Sequence, residues 1–183
     1  SVRVNVEADS LNAAVLGPDV EPGSDLMNLF VADVVRDMTQ KTGQKCTAIR
    51  RVYVPKDKMD AVIEMLSERL SAIKVGNPAS DEVNMGPVST KTQLGSVREG
   101  VALFERAAKM VFGTNGGAKT VGDTKGKGFF VSPILLRCDA PSESDAMHAH
   151  EVFGPVATVM AYDGTAKSAA AFVRAGGGGL VSS

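Results

Sequence analysis

Apolar residues recur along this chain at two periods, and the order in which the periods switch predicts the architecture. Val2, Val4 and Val6 alternate with Arg3 and Asn5, the rhythm of a half-buried strand. Ala13-Ala14-Val15-Leu16 is a second short apolar run, closed by Gly17-Pro18. Pro22-Gly23-Ser24 then offers a helix start, with Ser24 or Asp25 as cap. Leu26, Leu29, Phe30, Val34 and Met38, or Val31 and Val35 beside them, recur at helical spacing up to Lys41, and Gly43 supplies the stop. Ile49 to Pro55 reads as a strand, and Asp57 can cap a second helix through Met59, Val62, Ile63, Leu66 and Leu70.

Val75-Gly76-Asn77-Pro78 and Met85-Gly86-Pro87-Val88 are turns, after which Ser89 or Thr90 can cap a third helix running to about Val111. Gly113 to Gly128 reads as a turn-laden connection. Phe129 to Leu136 reads as a strand whose Pro133 marks an edge or bulge. Val156 to Tyr162 is the next strand, and Thr165 to Arg174 suits a last helix. Strands alternating with helices predict an α/β layered domain with a mostly parallel sheet flanked by helices. No internal repeat appears, and no boundary splits the chain. Both ends read as cuts through a larger protein, because each falls in what looks like a strand under way.

The 183 residues suffice for one well-filled core, and 44% hydrophobic with 22% charged residues is ordinary for a globular domain. A formal net charge of −1 gives no support to nucleic-acid or acidic-membrane binding. Aromatics at 5% with no tryptophan argue against stacking platforms. Cys46 and Cys138 are the two cysteines, too few for a disulfide framework and without metal-ligand spacing, so a reducing cytoplasm fits best. No basic-then-apolar leader and no membrane-length apolar run is present.

Cys46 is the foremost chemical candidate. It lies in Thr42-Gly43-Gln44-Lys45-Cys46-Thr47-Ala48-Ile49-Arg50-Arg51, between a helix pattern and a β-branched run. Lys45, Arg50 and Arg51 are near in sequence, and nearby positive charge favours the reactive thiolate. A free core cysteine is the blander reading of the same residue.

Three motifs occur in order: Val6-Glu7-Ala8-Asp9-Ser10, Gly43-Gln44-Lys45-Cys46, and His150-Glu151-Val152-Phe153-Gly154-Pro155-Val156. With the turns above and Gly128-Phe129-Phe130-Val131-Ser132-Pro133, this order resembles the catalytic domain of the aldehyde dehydrogenase superfamily over essentially the whole chain. The resemblance implies the three-layer fold of that domain and assigns roles. Cys46 would be the nucleophile that attacks an aldehyde as hydride passes to NAD(P)+, leaving a thioacyl-enzyme. Glu7 would be the general base that activates water to release the acid. Glu151 would bind the nicotinamide ribose hydroxyls, Phe153 would pack near the nicotinamide, and the Cys46 backbone N–H would serve an oxyanion hole.

Without the resemblance, Glu7 reads as an exposed strand-end carboxylate and Phe153 as a core residue before a Gly-Pro turn. Ala8-Asp9-Ser10-Leu11 departs from the Leu-Gly-Gly-Lys that follows the glutamate in the family. That segment and the long path from Leu16 to Ser24 resemble the dehydrogenase domain of the bifunctional ring-opening enzymes of bacterial phenylacetate degradation. This closer resemblance implies a CoA-linked semialdehyde substrate, NADP or NAD held mainly by a domain absent from this chain, and a C-terminal hydratase. A homo-oligomer and inactivity of the isolated segment are further expectations. A CoA-acylating dehydrogenase and a non-catalytic assembly module are the alternatives, and Glu7 argues against the first.

The remaining features read more simply. His148 and His150 are expected in a solvated loop rather than as a metal pair. Cys138 follows a strand and is expected to be inert. The glycine runs at 113–117 and 176–179 lack the context of a phosphate loop. Lys119, Lys125 and Lys127 are expected in a solvated loop.

Overall fold

A computed structural model describes residues 2–4 and 10–183. Val2, Val4 and the residue between them are exposed and outside any strand, so the described part of the expected first strand is irregular, and the rest of it lies outside the described residues. The elements are β1 (Asn12–Val15), α1 (Asp25–Thr39), β2 (Ile49–Pro55), α2 (Met59–Ser71), α3 (Lys91–Phe104), β3 (Lys109–Phe112), β4 (Ile134–Cys138), β5 (Val156–Tyr162) and α4 (Ala166–Ala175). Short 3-10 turns at Gln40–Gly43, Lys56–Lys58 and Ala146–His148 link them.

The sheet order is β1-β2-β5-β4-β3, parallel throughout except for antiparallel β3. Strict alternation along β5 buries Ala157, Val159 and Ala161 with α1 and α2, and Val156, Met160 and Tyr162 with the opposite layer. Two apolar cores on the two faces of one sheet make three layers, as the fold class predicts. Outside β1, the Ser183 N–H donates to the Ala13 carbonyl and the Val15 N–H to the Ser183 carbonyl, so the final residues pair along that edge.

Ser24 caps α1 through its hydroxyl, Thr90 caps α3 and Thr165 caps α4, each accepting a backbone N–H. The buried stripe of α1 is Met27, Val31, Val34, Val35 and Met38, while Leu26 and Leu29 stay exposed. Asp57 does not cap α2: it lies inside the 3-10 turn, and Lys58 occupies the cap position without a side-chain bond. α3 stops at Phe104 rather than near Val111, because Lys109–Phe112 pair with β4 and sheet pairing overrides the helical pattern. β4 starts at Ile134, since Pro133 has no N–H to donate; Phe129 makes only an isolated bridge with Val88.

No described helix is long and apolar enough to cross a membrane. Among the described residues no cluster of three metal-ligating side chains forms.

Candidate active site

Ser10, the one described residue of the first motif, and the second and third motifs meet at the amino-terminal ends of the parallel strands, before β1, β2 and β5. Open parallel sheets ordinarily bind ligands at the opposite, carboxyl ends. The path to Cys46 leaves α1 through three consecutive left-handed residues, Lys41 (φ 53°), Thr42 (φ 58°) and Gly43 (φ 68°). A β-branched residue in that region is strained, and such strain persists where the surroundings enforce it. The Thr42 hydroxyl donates to the Gly86 carbonyl at 3.1 Å, and the Gln44 Oε1 accepts from the Ser89 N–H at 3.0 Å. Gly43 is required twice over: besides its positive φ, an added Cβ would lie 2.1 Å from the Gly154 carbonyl oxygen. The second and third motifs are therefore in backbone contact.

Cys46 sits in a turn closed by the Ala48 N–H donating to the Lys45 carbonyl at 3.2 Å, and it is solvent-exposed. Its backbone N–H donates to none of the described residues. Two buried side chains hold the turn by its carbonyls. Asn12 Nδ2 donates to the carbonyls of Cys46 and Ala48, both at 2.9 Å. Arg50 Nη2 donates to the carbonyls of Gly43 at 2.8 Å and Lys45 at 3.2 Å.

The cations near Cys46 in sequence are committed elsewhere. Lys45 Nζ is 2.8 Å from the Asp37 carboxylate and also donates to Gln40. Arg50 pairs with Glu151. Arg51 points to the other face of the sheet, as strand alternation requires, where it donates to the Leu11, Phe172 and Val173 carbonyls. None of the three, expected near the thiol from sequence, has Cys46 Sγ among its described hydrogen-bond partners.

Arg50 is the site residue that sequence reasoning undervalued; its signal was the adjacent pair Arg50-Arg51 inside a strand. Its Nε lies 3.1 Å from Glu151 Oε1, and its Nη1 donates to the Gly154 carbonyl at 3.0 Å. The Arg50 and Glu151 side chains are only 4% and 7% exposed, so this is a buried ion pair. Burial pushes the Arg50 guanidinium below its ordinary value, opposed by the charge and hydrogen bond of Glu151. The guanidinium also lies over the Phe153 ring, 5.3 Å from its centre. Glu151 Oε2 accepts the Ser10 N–H at 3.0 Å. Each carboxylate oxygen thus has a protein donor and retains lone-pair capacity, which is what binding a vicinal diol needs.

Glu7 lies outside the described residues. Ser10, three positions on, is tied to Glu151 and to Asn12 Oδ1, which its hydroxyl meets at 2.8 Å.

His148 is buried, not solvated as expected; His150 is exposed. The His148 ring stacks with Tyr53 and Phe172, and its Nδ1 is 3.2 Å from Arg51 Nη1. Arginine can only donate, so Nδ1 accepts and the proton sits on Nε2, which has no partner among the described residues. Burial and the Arg51 charge lower the His148 pKa, and burial pushes the Tyr53 phenol up to about 12. Cys138 is buried at the end of β4, and burial raises its thiol.

The site is thus a parallel three-layer α/β domain that presents an exposed thiol on a carbonyl-clamped turn, beside a buried Glu-Arg pair. The chain belongs to the aldehyde dehydrogenase family, whose model matches residues 2–180. It is 44% identical over its full length to 3,4-dehydroadipyl-CoA semialdehyde dehydrogenase of Aromatoleum evansii, covering 35% of that protein. It is 36% identical to lactaldehyde dehydrogenase of Escherichia coli strain K12, over 75% of this chain and 27% of that protein. The structure of betaine aldehyde dehydrogenase from Staphylococcus aureus in complex with NAD+ superimposes with a TM-score of 0.78 at 25% identity, covering 92% of this chain and 31% of that one. The chain spans about a third of the length of the relatives it matches.

Proposed function

We propose that this chain supplies the nucleophile-bearing part of an NAD(P)-dependent dehydrogenase that oxidises a CoA-linked semialdehyde to the acid in aromatic catabolism. The observation that carries the reading is Cys46 itself, an exposed thiol on a turn whose carbonyls are fixed from beneath and whose N–H donates to none of the described residues. The substrate class is supported by the Aromatoleum evansii relative, which matches along the full length.

In this reading the Cys46 Sγ attacks the aldehyde carbon, and the Cys46 N–H stabilises the developing oxyanion. NAD(P)+, when bound, supplies the hydride acceptor. Glu151 would hold it through ribose hydroxyls and Phe153 through ring contact. Glu7 takes a proton from the water that cleaves the thioester. Asn12 and Arg50 keep the turn fixed throughout. Most cofactor contacts come from residues outside this sequence, and a homo-oligomer, a hydratase partner domain and a cytoplasmic setting belong to the same reading.

The test is an assay of the natural protein carrying this sequence with a CoA-linked semialdehyde and each nicotinamide cofactor, with and without free CoA. Free acid formed without CoA supports the hydrolytic reading. Product that forms only with CoA, as a thioester, supports an acylating dehydrogenase and removes the role of Glu7.

A further inference from the structure

We propose that Arg50 is a positioning residue that locks the Cys46 turn to the Glu151–Phe153 segment, so that cofactor binding and nucleophile placement depend on one side chain. The inference rests on the proposed dehydrogenase reading for what the two segments do.

Four polar partners converge on this guanidinium. Two are carbonyls of the nucleophile loop, Gly43 and Lys45. The other two, the Glu151 carboxylate and the Gly154 carbonyl, lie in the segment before β5. The Phe153 ring lies against its face. No other described side chain bonds to both loops in this way, since Asn12 holds the Cys46 turn to β1 and to the Leu180–Val181 backbone. A planar fork with five fixed donors can meet these directions at once; an ammonium can supply the charge but not the fork. The guanidinium's described polar partners are all protein groups of the two loops, so it acts through Cys46 and Glu151. It orients a carboxylate that would otherwise be buried with the Ser10 N–H as its one remaining described donor.

The experiment compares Arg50→Lys and Arg50→Gln with wild type in the natural protein. Rates are normalised to the fraction of Cys46 that can be titrated by a thiol reagent. The account expects KM for NAD(P)+ to rise about tenfold or more and kcat to fall in Arg50→Lys, with a larger effect in Arg50→Gln. A merely structural role predicts fewer folded molecules with unchanged KM and kcat per titrated site, and that result overturns the inference. An unchanged or lower cofactor KM overturns it too. If neither variant folds, a crystal structure of the wild-type holoenzyme decides. Arg50 still bridging the Lys45 carbonyl and Glu151 with cofactor bound supports the lock; Arg50 released from either loop contradicts it. A Cys46→Ser enzyme with full activity would instead refute the dehydrogenase reading, which separates the two failures.

Discussion

The Asn12 carboxamide donates both of its protons to backbone carbonyls of the Cys46 turn, those of Cys46 and Ala48, each at 2.9 Å. Its oxygen accepts from the Leu180 and Val181 N–H groups at 2.9 Å, so one side chain ties the turn to the C-terminal segment. Asn12→Ala leaves these buried groups unpaired and is expected to destabilise the protein by about 2–4 kcal/mol. It also frees the turn, so single-turnover acylation of Cys46 should slow about tenfold or more. Denaturant unfolding and rapid-quench kinetics measure the two effects separately. Loss of stability with unchanged acylation would show that Asn12 does not position the thiol.

Gly43→Ala should be more damaging than a glycine-to-alanine change in an ordinary loop. The added methyl would meet the Gly154 carbonyl oxygen at 2.1 Å on a backbone already at φ 68°. Either the Cys46 turn or the Gly154-Pro155 segment must move. The expected cost is about 2–4 kcal/mol, with activity lost in whatever fraction still folds. A Tm within a degree of wild type would mean that the two segments are not in contact.

Lys45 provides a contrast. Its ammonium is bound to Asp37 at 2.8 Å, so Lys45→Met should cost only about 0.5–1 kcal/mol, the scale of a partly screened ion pair. Alkylation of Cys46 should change by less than about threefold. A drop of tenfold or more would restore Lys45 as the group that activates the thiol.

The acid limb of stability should carry a contribution from His148. Burial, and then the Arg51 charge, lower its pKa from 6.5, with Asp145 and Glu143 opposing. Tyr53 and Phe172 pack on the ring without supplying charge at neutral pH. The unfolded chain therefore binds a proton at His148 more readily than the folded one. Stability from this site is fully present above the unfolded value near 6.5 and is lost as pH falls through the lower folded value. His148→Phe should flatten stability against pH below 6.5, measured by denaturant midpoints across a pH series. An unchanged slope would mean that the imidazole is not held neutral.

The sequence made some of this legible, for physical reasons that differ by element. Ser24, Thr90 and Thr165 were readable as caps because capping is local chemistry. Val156–Tyr162 was readable because a nearly continuous apolar run suits a buried parallel strand, and Ile49–Pro55 because of its β-branched and aromatic residues, Ile49, Val52, Tyr53 and Val54. The end of α3 was not readable, because the segment after Phe104 is claimed by pairing with β4. The motif residues could be placed in order, and Cys46 is indeed exposed on its turn. What periodicity could not convey was direction: Arg50 and Arg51 are neighbours in sequence yet serve opposite faces, one clamping the two motif loops and the other buried against Tyr53 and His148. His148 looked like a loop residue for the same reason, since its burial comes from Phe172, which is 24 positions away.

The central claim is that an acyl group passes through the sulfur of residue 46. The natural protein, mixed with aldehyde and NAD(P)+ and quenched in acid during turnover, should yield a Cys46 peptide heavier by the acyl group of the substrate. The Cys138 peptide should be unmodified, and Cys46→Ala should give neither adduct nor acid. Undiminished acid production by Cys46→Ala, with no acylated peptide from the wild type, would contradict the account.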